Sequence, residues 1–95
     1  MSVLSGTTSG SIKSTALNIP CTIKSFSVYN KTGGAVVVTI AIEQNSSDTY
    51  IASVNLAALG STGSSFYQDM NVKVPALGKI YITTSGSIDY YFTLD

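Results

Sequence analysis

The sequence predicts an all-β protein, an antiparallel β-sandwich (jelly-roll or Ig-like) of about seven or eight strands. The first observation is alternation of apolar and polar positions in the last third of the chain, clearest at Ile88, Tyr90, Phe92 and Leu94. A period of two is typical of a strand that buries one face. The second observation is that such runs recur at short spacing between Gly and Pro turns, with no convincing helix between them.

Residues 1–11 predict an N-terminal arm, and residues 12–95 predict a single sandwich domain. The arm is rich in Ser, Thr and Gly, and after Met1 its only apolar side chains are Val3 and Leu4. Such a segment is flexible alone or becomes ordered as a strand laid on a neighbouring subunit. The arm is therefore a candidate contact with a partner.

The first half of the domain predicts strands over residues 12–19, 22–30 and 35–43. The third is the strongest of the chain, because β-branched side chains line one of its faces: Val36, Val38, Ile40 and Ile42. Gly33 and Gly34 separate the second and third strands. Glycine supplies the positive φ that hairpin turns need, so a hairpin is predicted there.

The second half of the domain predicts a polar turn, a strand, a short helical turn, a flexible loop and three further strands. The turn covers residues 44–48, the strand 49–55, the helical turn 56–60 and the loop 61–65. The final strands are the alternating runs Phe66–Val74, Ile80–Ile82 and Ile88–Leu94, separated by Pro75-Ala76-Leu77-Gly78 and by Ser85-Gly86. Together these segments complete the strand number of a sandwich.

The chain carries few charges, which disfavours nucleic-acid and membrane partners. Only 11% of residues are charged and the net charge is zero. The lysines are scattered and Arg is absent, so no basic stripe faces a phosphate backbone. The longest apolar run, Ala35 to Ile42, is far shorter than the ~20 residues of a spanning helix. The Ser/Thr-rich surface fits either a subunit packed permanently against others or a neutral domain that is simply soluble enough.

The residue types that catalysis and metal binding need are scarce. The chain has no His, which excludes an imidazole base, an imidazole metal ligand and a Ser-His-Asp triad. Cys21 is the only cysteine, predicts no disulfide, and is best explained as a small buried side chain. The sequence therefore predicts no enzyme, no cofactor and no metal. An enzyme would require carboxylates to converge in a cleft, with Asp69 and Asp89 as the candidates.

Four tyrosines are the chemically suggestive set. Tyr29, Tyr67, Tyr81 and Tyr91 are out of phase with the main apolar rows of their strands, so their rings are predicted to face outward. Three interpretations remain open: ordinary cross-strand pairing, a subunit interface, and carbohydrate binding. With Val3 and Leu4 of the arm, these tyrosines are the predicted partner interface.

Two segments carry a recurrent strand-turn-strand pattern. In Phe26–Ile42, a strand ends in Asn, a Thr/Gly turn follows, and an alternating Val/Thr strand returns. In Val72–Thr84, two strands flank a Pro/Gly corner. With these segments the chain resembles small β-sandwich virion accessory proteins of tailed bacteriophages. The resemblance spans roughly residues 12–94 and implies a capsid decoration, head-fibre or tail-associated subunit.

The resemblance implies a non-enzymatic structural role through subunit packing. The expected partners are further copies of the chain, with a trimer favoured, and other virion proteins. The expected location is the virion, after assembly in the host cytoplasm. The alternative is a small carbohydrate- or host-binding module that uses the exposed tyrosines and the loop Ser61–Ser65.

Overall fold

The computed structural model describes residues 2–14 and 20–95, and within them eight strands form two antiparallel four-stranded sheets. The predicted all-β sandwich is confirmed. The strands are β1 (Ser2–Thr8), β2 (Ile12–Lys13), β3 (Cys21–Asn30), β4 (Val36–Gln44), β5 (Ser47–Leu56), β6 (Ser65–Val74), β7 (Lys79–Thr84) and β8 (Ile88–Leu94).

The strand order identifies the sandwich as a jelly roll. The front sheet has the order β1-β8-β3-β6, and the back sheet has the order β2-β7-β4-β5. Consecutive strands lie in opposite sheets everywhere except at the β4–β5 hairpin. This alternation between two sheets is the double Greek-key arrangement of jelly rolls, which viral capsid and lectin domains share.

The core lies between the sheets and is built from the predicted alternating rows. In β4, Val36, Val38, Ile40 and Ile42 are all buried, as their spacing predicts. They face the inward row of β8 and the fully buried Phe26 of β3. The rings of Phe26 and Phe92 stack with their centroids 5.9 Å apart, which places aromatic packing at the centre of the front sheet.

The N-terminal segment differs from the predicted arm. Ser2–Thr8 pairs in register with β8 of its own chain, from Ser2 opposite Leu94 to Thr8 opposite Ile88. The segment forms an edge strand of the front sheet because β8 offers it a free row of backbone donors and acceptors. In the described part of the predicted strand 12–19, Ile12–Lys13 forms β2, and residues 15–19 lie outside the described part of the chain.

The predicted Gly33-Gly34 hairpin is wrong, since β3 and β4 belong to different sheets. Positive φ among the described glycines occurs only at Gly60 and Gly63. The buried side chain of Asn30 shapes the connection instead. Its Nδ2 donates to the carbonyls of Gly34 and Ala57, and its Oδ1 accepts from the backbone N–H and hydroxyl of Thr32, all at 2.8 Å. The asparagine thereby ties two loops together where the chain crosses between sheets.

Two other predicted turns are altered in detail. The helical turn predicted over residues 56–60 is wrong: Leu56 ends β5 and is buried, and no helix forms among the described residues. None of the described residues therefore belongs to a helix long and apolar enough to cross a membrane. The predicted polar turn is a two-residue hairpin, in which Asn45 and Ser46 have φ of 54° and 62°. Two consecutive left-handed residues are the signature of a type I′ turn.

Candidate ligand-binding face

The outward side of the front sheet gathers three of the four predicted tyrosines. Strand β3 runs between β8 and β6, and Ser27 lies opposite Tyr91 on one side and Tyr67 on the other. In the next outward row, Ser25 is flanked by Thr93 and Asp69. Tyr29 is flanked in the row beyond by Asp89 and Ser65. We call these rows the tyrosine face: Tyr91, Ser27 and Tyr67; Thr93, Ser25 and Asp69; Asp89, Tyr29 and Ser65.

The tyrosine rings of this face are exposed and have no aromatic partner. Tyr67 is 63% exposed, Tyr91 48% and Tyr29 41%. Within residues 2–14 and 20–95, the ring–ring contacts are confined to Phe26, Phe66, Tyr90 and Phe92. None of these contacts involves one of the three exposed tyrosines. Because an aromatic ring gains stability by packing against a flat apolar surface, the exposed parts of these three rings are available to a ligand.

Tyr67 and Tyr91 lie on the two strands that flank β3, and we call the strip of surface between them the slot. The rings rise from alternate strands, so two strand spacings of about 4.8 Å place their backbones about 9.6 Å apart. Between them lies the small, partly buried side chain of Ser27. At one end of the slot is Tyr29, a diagonal neighbour of both rings and within reach of each. The slot is thus bordered by two tyrosines, with the Ser27 side chain between them and Tyr29 at one end.

Hydroxyl groups and one carboxylate form hydrogen bonds along the slot. The hydroxyls of Ser25 and Thr93 share a hydrogen bond of 2.6 Å, and the hydroxyl of Tyr67 donates to Asp69 Oδ1 at 2.6 Å. This bond to the carboxylate raises the pKa of Tyr67, while the hydrogen bond from Ser25 acts in the opposite direction. The phenol stays protonated and holds the Tyr67 ring beside Asp69.

The second carboxylate of the face lies at the end occupied by Tyr29. Asp89 Oδ1 accepts a short hydrogen bond from the Thr7 hydroxyl on β1 and lies 3.5 Å from Lys31 Nζ. The loop that the sequence analysis assigned to ligand binding borders the same end. Its Ser64 carbonyl accepts from the Asn30 backbone N–H at 2.8 Å, and the next residue begins β6.

Of the remaining predicted interface residues, Val3 lies beside the tyrosine face, whereas Leu4 and Tyr81 lie elsewhere. Val3 is 48% exposed on β1, opposite Thr93, and extends the face toward the sheet edge. Leu4 is half-buried and packs against the core cluster. Tyr81 is on the outer side of the back sheet, where Lys13 Nζ lies 4.9 Å from its ring centroid. Hydrogen bonds from Ser11 and Thr83 lower the pKa of Tyr81.

Two charged groups of the back sheet, Lys13 and Glu43, pair with each other. Lys13 Nζ lies 2.8 Å from Glu43 Oε2, and this hydrogen-bonded pair lowers the pKa of Glu43 and raises that of Lys13. Tyr81 therefore presents a ring that is already covered by a cation. The outer side of the back sheet lacks an open aromatic slot in its described residues, because Ala41 between Tyr81 and Tyr50 is only 1% exposed.

Sequence reasoning missed the polar half of the tyrosine face. Ser25, Ser27 and Thr93 carried no signal, since Ser and Thr are common throughout the chain. Asp69 follows Tyr67 by two residues in one strand, and this spacing places both on the same side. Tyr50 was also missed, although at 66% exposure it is the most exposed ring of the back sheet.

The two carboxylates considered for catalysis do not converge. Asp69 lies opposite Ser25 on one flank of β3, and Asp89 lies opposite Tyr29 on the other. Four residues along a strand correspond to about 13 Å, beyond the ~5–9.5 Å between the carboxylates of a glycosidase. Within residues 2–14 and 20–95, no group of three His, Cys, Asp or Glu side chains is placed to hold a metal ion.

Comparisons with known proteins identify a structural likeness. No family model matches the chain, and no curated protein matches it. Among solved structures, the chain is similar to a family 6 carbohydrate-binding module whose binding sub-sites were dissected by X-ray crystallography and isothermal titration calorimetry. The TM-score is 0.53 at 17% identity, over 92% of this chain and 68% of that chain. The two proteins share a β-sandwich fold.

Proposed function

We propose that this chain is a non-catalytic carbohydrate-binding module and that its ligand lies on the tyrosine face. The observation that carries the proposal is the slot between Tyr67 and Tyr91, where two exposed tyrosines flank Ser27. A sugar ring has an apolar face that packs on an aromatic ring and a rim of hydroxyls that needs hydrogen-bond partners. The slot supplies both kinds of surface.

The polarity of the face favours a sugar over a protein partner. Every residue in the three central rows carries a side-chain oxygen, and the rows contain no aliphatic side chain. The buried centre of a protein–protein interface is typically more apolar and depleted in charged residues and Ser. Small-molecule sites instead combine aromatic walls with a few placed polar groups, which is the composition here.

The fold agrees with this proposal without deciding it. Jelly rolls serve as lectin domains, and the similar carbohydrate-binding module has the same sandwich architecture. Function nevertheless depends on the site, because one fold hosts unrelated activities. The non-catalytic part of the proposal is supported by the separation of Asp69 from Asp89 on opposite flanks of β3.

The test is binding to a glycan array, followed by titration calorimetry with the best ligand. Replacing Tyr67 or Tyr91 by Ala should weaken binding by about 1–2 kcal/mol, roughly fivefold to thirtyfold, because each ring is one wall of the slot. Tyr50→Ala is the matched control, since Tyr50 is equally exposed but lies on the back sheet. Absence of glycan binding, or equal losses in all three variants, would refute the proposal.

A second candidate is the structural subunit that the bacteriophage resemblance implies. It is favoured by the zero net charge and by the apolar Val3, which is exposed beside the tyrosine face at the edge strand β1. In this role the tyrosine face packs against a sister subunit. Because Ser2–Thr8 is paired with β8, docking occurs through the sheet face or its edge.

Oligomeric state separates the two candidates. A structural subunit should be a trimer or larger ring by light scattering, and Tyr67→Ala should dissociate it. A carbohydrate-binding module should retain its glycan affinity as a monomer. A monomer at high concentration that binds glycans would eliminate the structural role, whereas a stable trimer without glycan binding would favour it.

A further inference from the structure

We propose that the tyrosine face selects glycans that carry free, positively charged amino groups, with Asp69 as the residue that confers this preference. The inference rests on the carbohydrate-binding function proposed above and names the class of sugar. The observation behind the inference is that the slot is flanked by negatively charged side chains and that no positively charged side chain belongs to its three rows.

The charged side chains of the three central rows are both acidic. Asp69 lies diagonally from Ser27 beside Tyr67, and Asp89 lies on the opposite diagonal beside Tyr91. A sugar held over Ser27 between the two rings therefore has a carboxylate at each of two opposite corners. Diagonal neighbours on a sheet are about 7–8 Å apart at the backbone, within reach of a sugar substituent.

Each carboxylate keeps one oxygen available. The Tyr67 hydroxyl occupies Oδ1 of Asp69, while Thr7 and Lys31 both approach Oδ1 of Asp89. Across the described ranges, neither Oδ2 atom has a hydrogen-bond partner. A carboxylate has about four lone-pair positions and accepts several donors at once. An ammonium group brings three donors and the opposite charge, which makes it the strongest partner for such an oxygen.

The lysines of the front sheet leave Asp69 without a counter-charge. Lys31 pairs with Asp89, at the end of the slot that Tyr29 occupies. Lys73 lies opposite Thr22, beyond the Ser25 row, and Lys24 lies at the register shift between Ile23 and Ser25. Within residues 2–14 and 20–95, no cation lies within ion-pair distance of Asp69. A positively charged group of a ligand would pair with the Asp69 carboxylate, whereas the carboxylate would repel an acidic sugar.

The experiment uses three oligosaccharides of equal length and linkage that differ only in one substituent on each sugar. These are oligomers of glucosamine, N-acetylglucosamine and glucose, titrated calorimetrically below the pKa of the amino group. The glucosamine oligomer should bind about threefold to tenfold tighter than the other two, the range expected for one partly solvated charge pair. Added salt should reduce this preference.

Variants assign the preference to Asp69. Asp69→Asn should remove the preference, so that the glucosamine and glucose oligomers bind this variant with equal affinity. Asp48→Asn is the matched control, because it removes the same charge from an exposed position on the back sheet. The preference should survive in this control.

The outcomes separate the two proposals. Equal affinity for glucosamine and glucose oligomers would overturn the inference while preserving carbohydrate binding. An unchanged preference in Asp69→Asn would likewise overturn it. If the glucosamine oligomer binds the Tyr67→Ala/Tyr91→Ala double variant as tightly as the unchanged protein, binding is general charge attraction and both proposals fail.

Discussion

The hydroxyl of Tyr90 lies 2.8 Å from the position that a Cβ atom would take at Gly6, so its ring covers the first strand where that strand has no side chain. The two residues are opposite each other in the β1–β8 pairing. Tyr90 is only 7% exposed and packs edge-on against Phe92 at 6.2 Å. The absence of a side chain at Gly6 thus leaves the space on β1 that the Tyr90 ring occupies.

Replacing Gly6 by Ala should destabilise the fold. The added methyl would meet Tyr90 Oη at 2.8 Å and Cζ at 3.1 Å, closer than ordinary van der Waals contact. Overpacking of this kind costs about 1–3 kcal/mol. The free energy of unfolding in urea measures the loss, and Gly10→Ala is the control because no heavy atom lies within 4 Å of that position. Equal stability of the two alanine variants would contradict the prediction.

Tyr90→Phe should partly rescue Gly6→Ala. Removing the hydroxyl eliminates the shortest contact and leaves the ring carbon at 3.1 Å. In a double-mutant cycle, the combined variant should therefore be more stable than the sum of the two single changes predicts, by a coupling of about 0.5–1 kcal/mol. Strict additivity would show that Tyr90 is not the group that excludes a side chain at position 6.

Leu77→Gly should stabilise the protein. Leu77 has φ of 66° in the corner where the Gly78 N–H donates to the Pro75 carbonyl at 3.0 Å. A left-handed conformation costs an ordinary residue about 1–2 kcal/mol, and glycine costs about 0.5–1 kcal/mol in chain entropy. The expected net gain is about 0.5–1 kcal/mol, because the exposed Leu77 side chain contributes little packing.

Thermal unfolding of Leu77→Gly beside Leu77→Ala isolates the backbone effect. Alanine removes the same exposed apolar side chain but keeps the left-handed strain, so its melting temperature should stay close to that of the unchanged protein. A melting temperature for the glycine variant at or below that of the alanine variant would disprove the strain.

Asn30→Ala should be strongly destabilising. The fully buried amide donates to the carbonyls of Gly34 and Ala57 and accepts from the N–H and hydroxyl of Thr32. Alanine would leave the Ala57 carbonyl and the Thr32 N–H without these partners, while the Thr32 hydroxyl still donates to the Gly34 carbonyl. Unsatisfied buried groups cost about 1–3 kcal/mol each before local relaxation, so a total loss of about 2–4 kcal/mol is expected. Denaturant unfolding measures it, and Asn55→Ala, at an exposed position of β5, should be nearly neutral.

The Tyr67 phenol should become easier to ionise in Asp69→Asn. The hydrogen bond to the Asp69 carboxylate is the main cause of the raised pKa, and an amide lacks the charge that opposes the phenolate. A raised pKa stabilises the folded state below the ordinary pKa of tyrosine, and this contribution is lost as pH rises through the folded value. Difference absorbance titrations against Tyr67→Phe measure the Tyr67 transition, and an unchanged midpoint in Asp69→Asn would disprove the pairing.

The alternation of apolar residues predicted which side chains enter the core but not which strands become neighbours. Val38 and Ile40 are buried as their spacing requires, because a period of two depends only on local geometry. The Gly33-Gly34 connection was misassigned because a turn sequence does not encode whether the next strand stays in the same sheet. That choice depends on the buried Asn30 and on packing between distant segments.

The sequence predicted the outward direction of the tyrosines of this face only from their position relative to the buried row of each strand. Tyr67 and Tyr91 were correctly placed outward, because each is out of step with the buried row of its strand. Tyr81 had the same signal, yet it lies on the back sheet under Lys13. Assignment to one sheet or the other follows from the long-range strand order, which no local pattern contains.

The pairing of β1 with β8 also determines how the connectivity of this domain can be changed by circular permutation or insertion. Ser2 and Leu94 face each other across the ladder, so the backbones of these two residues lie about 5 Å apart. A short linker can therefore join them, and new ends can be opened at the exposed Asn45–Ser46 hairpin. The same adjacency would let the whole sandwich be spliced into a surface loop of a carrier protein, presenting its tyrosines outward without stretching the host backbone.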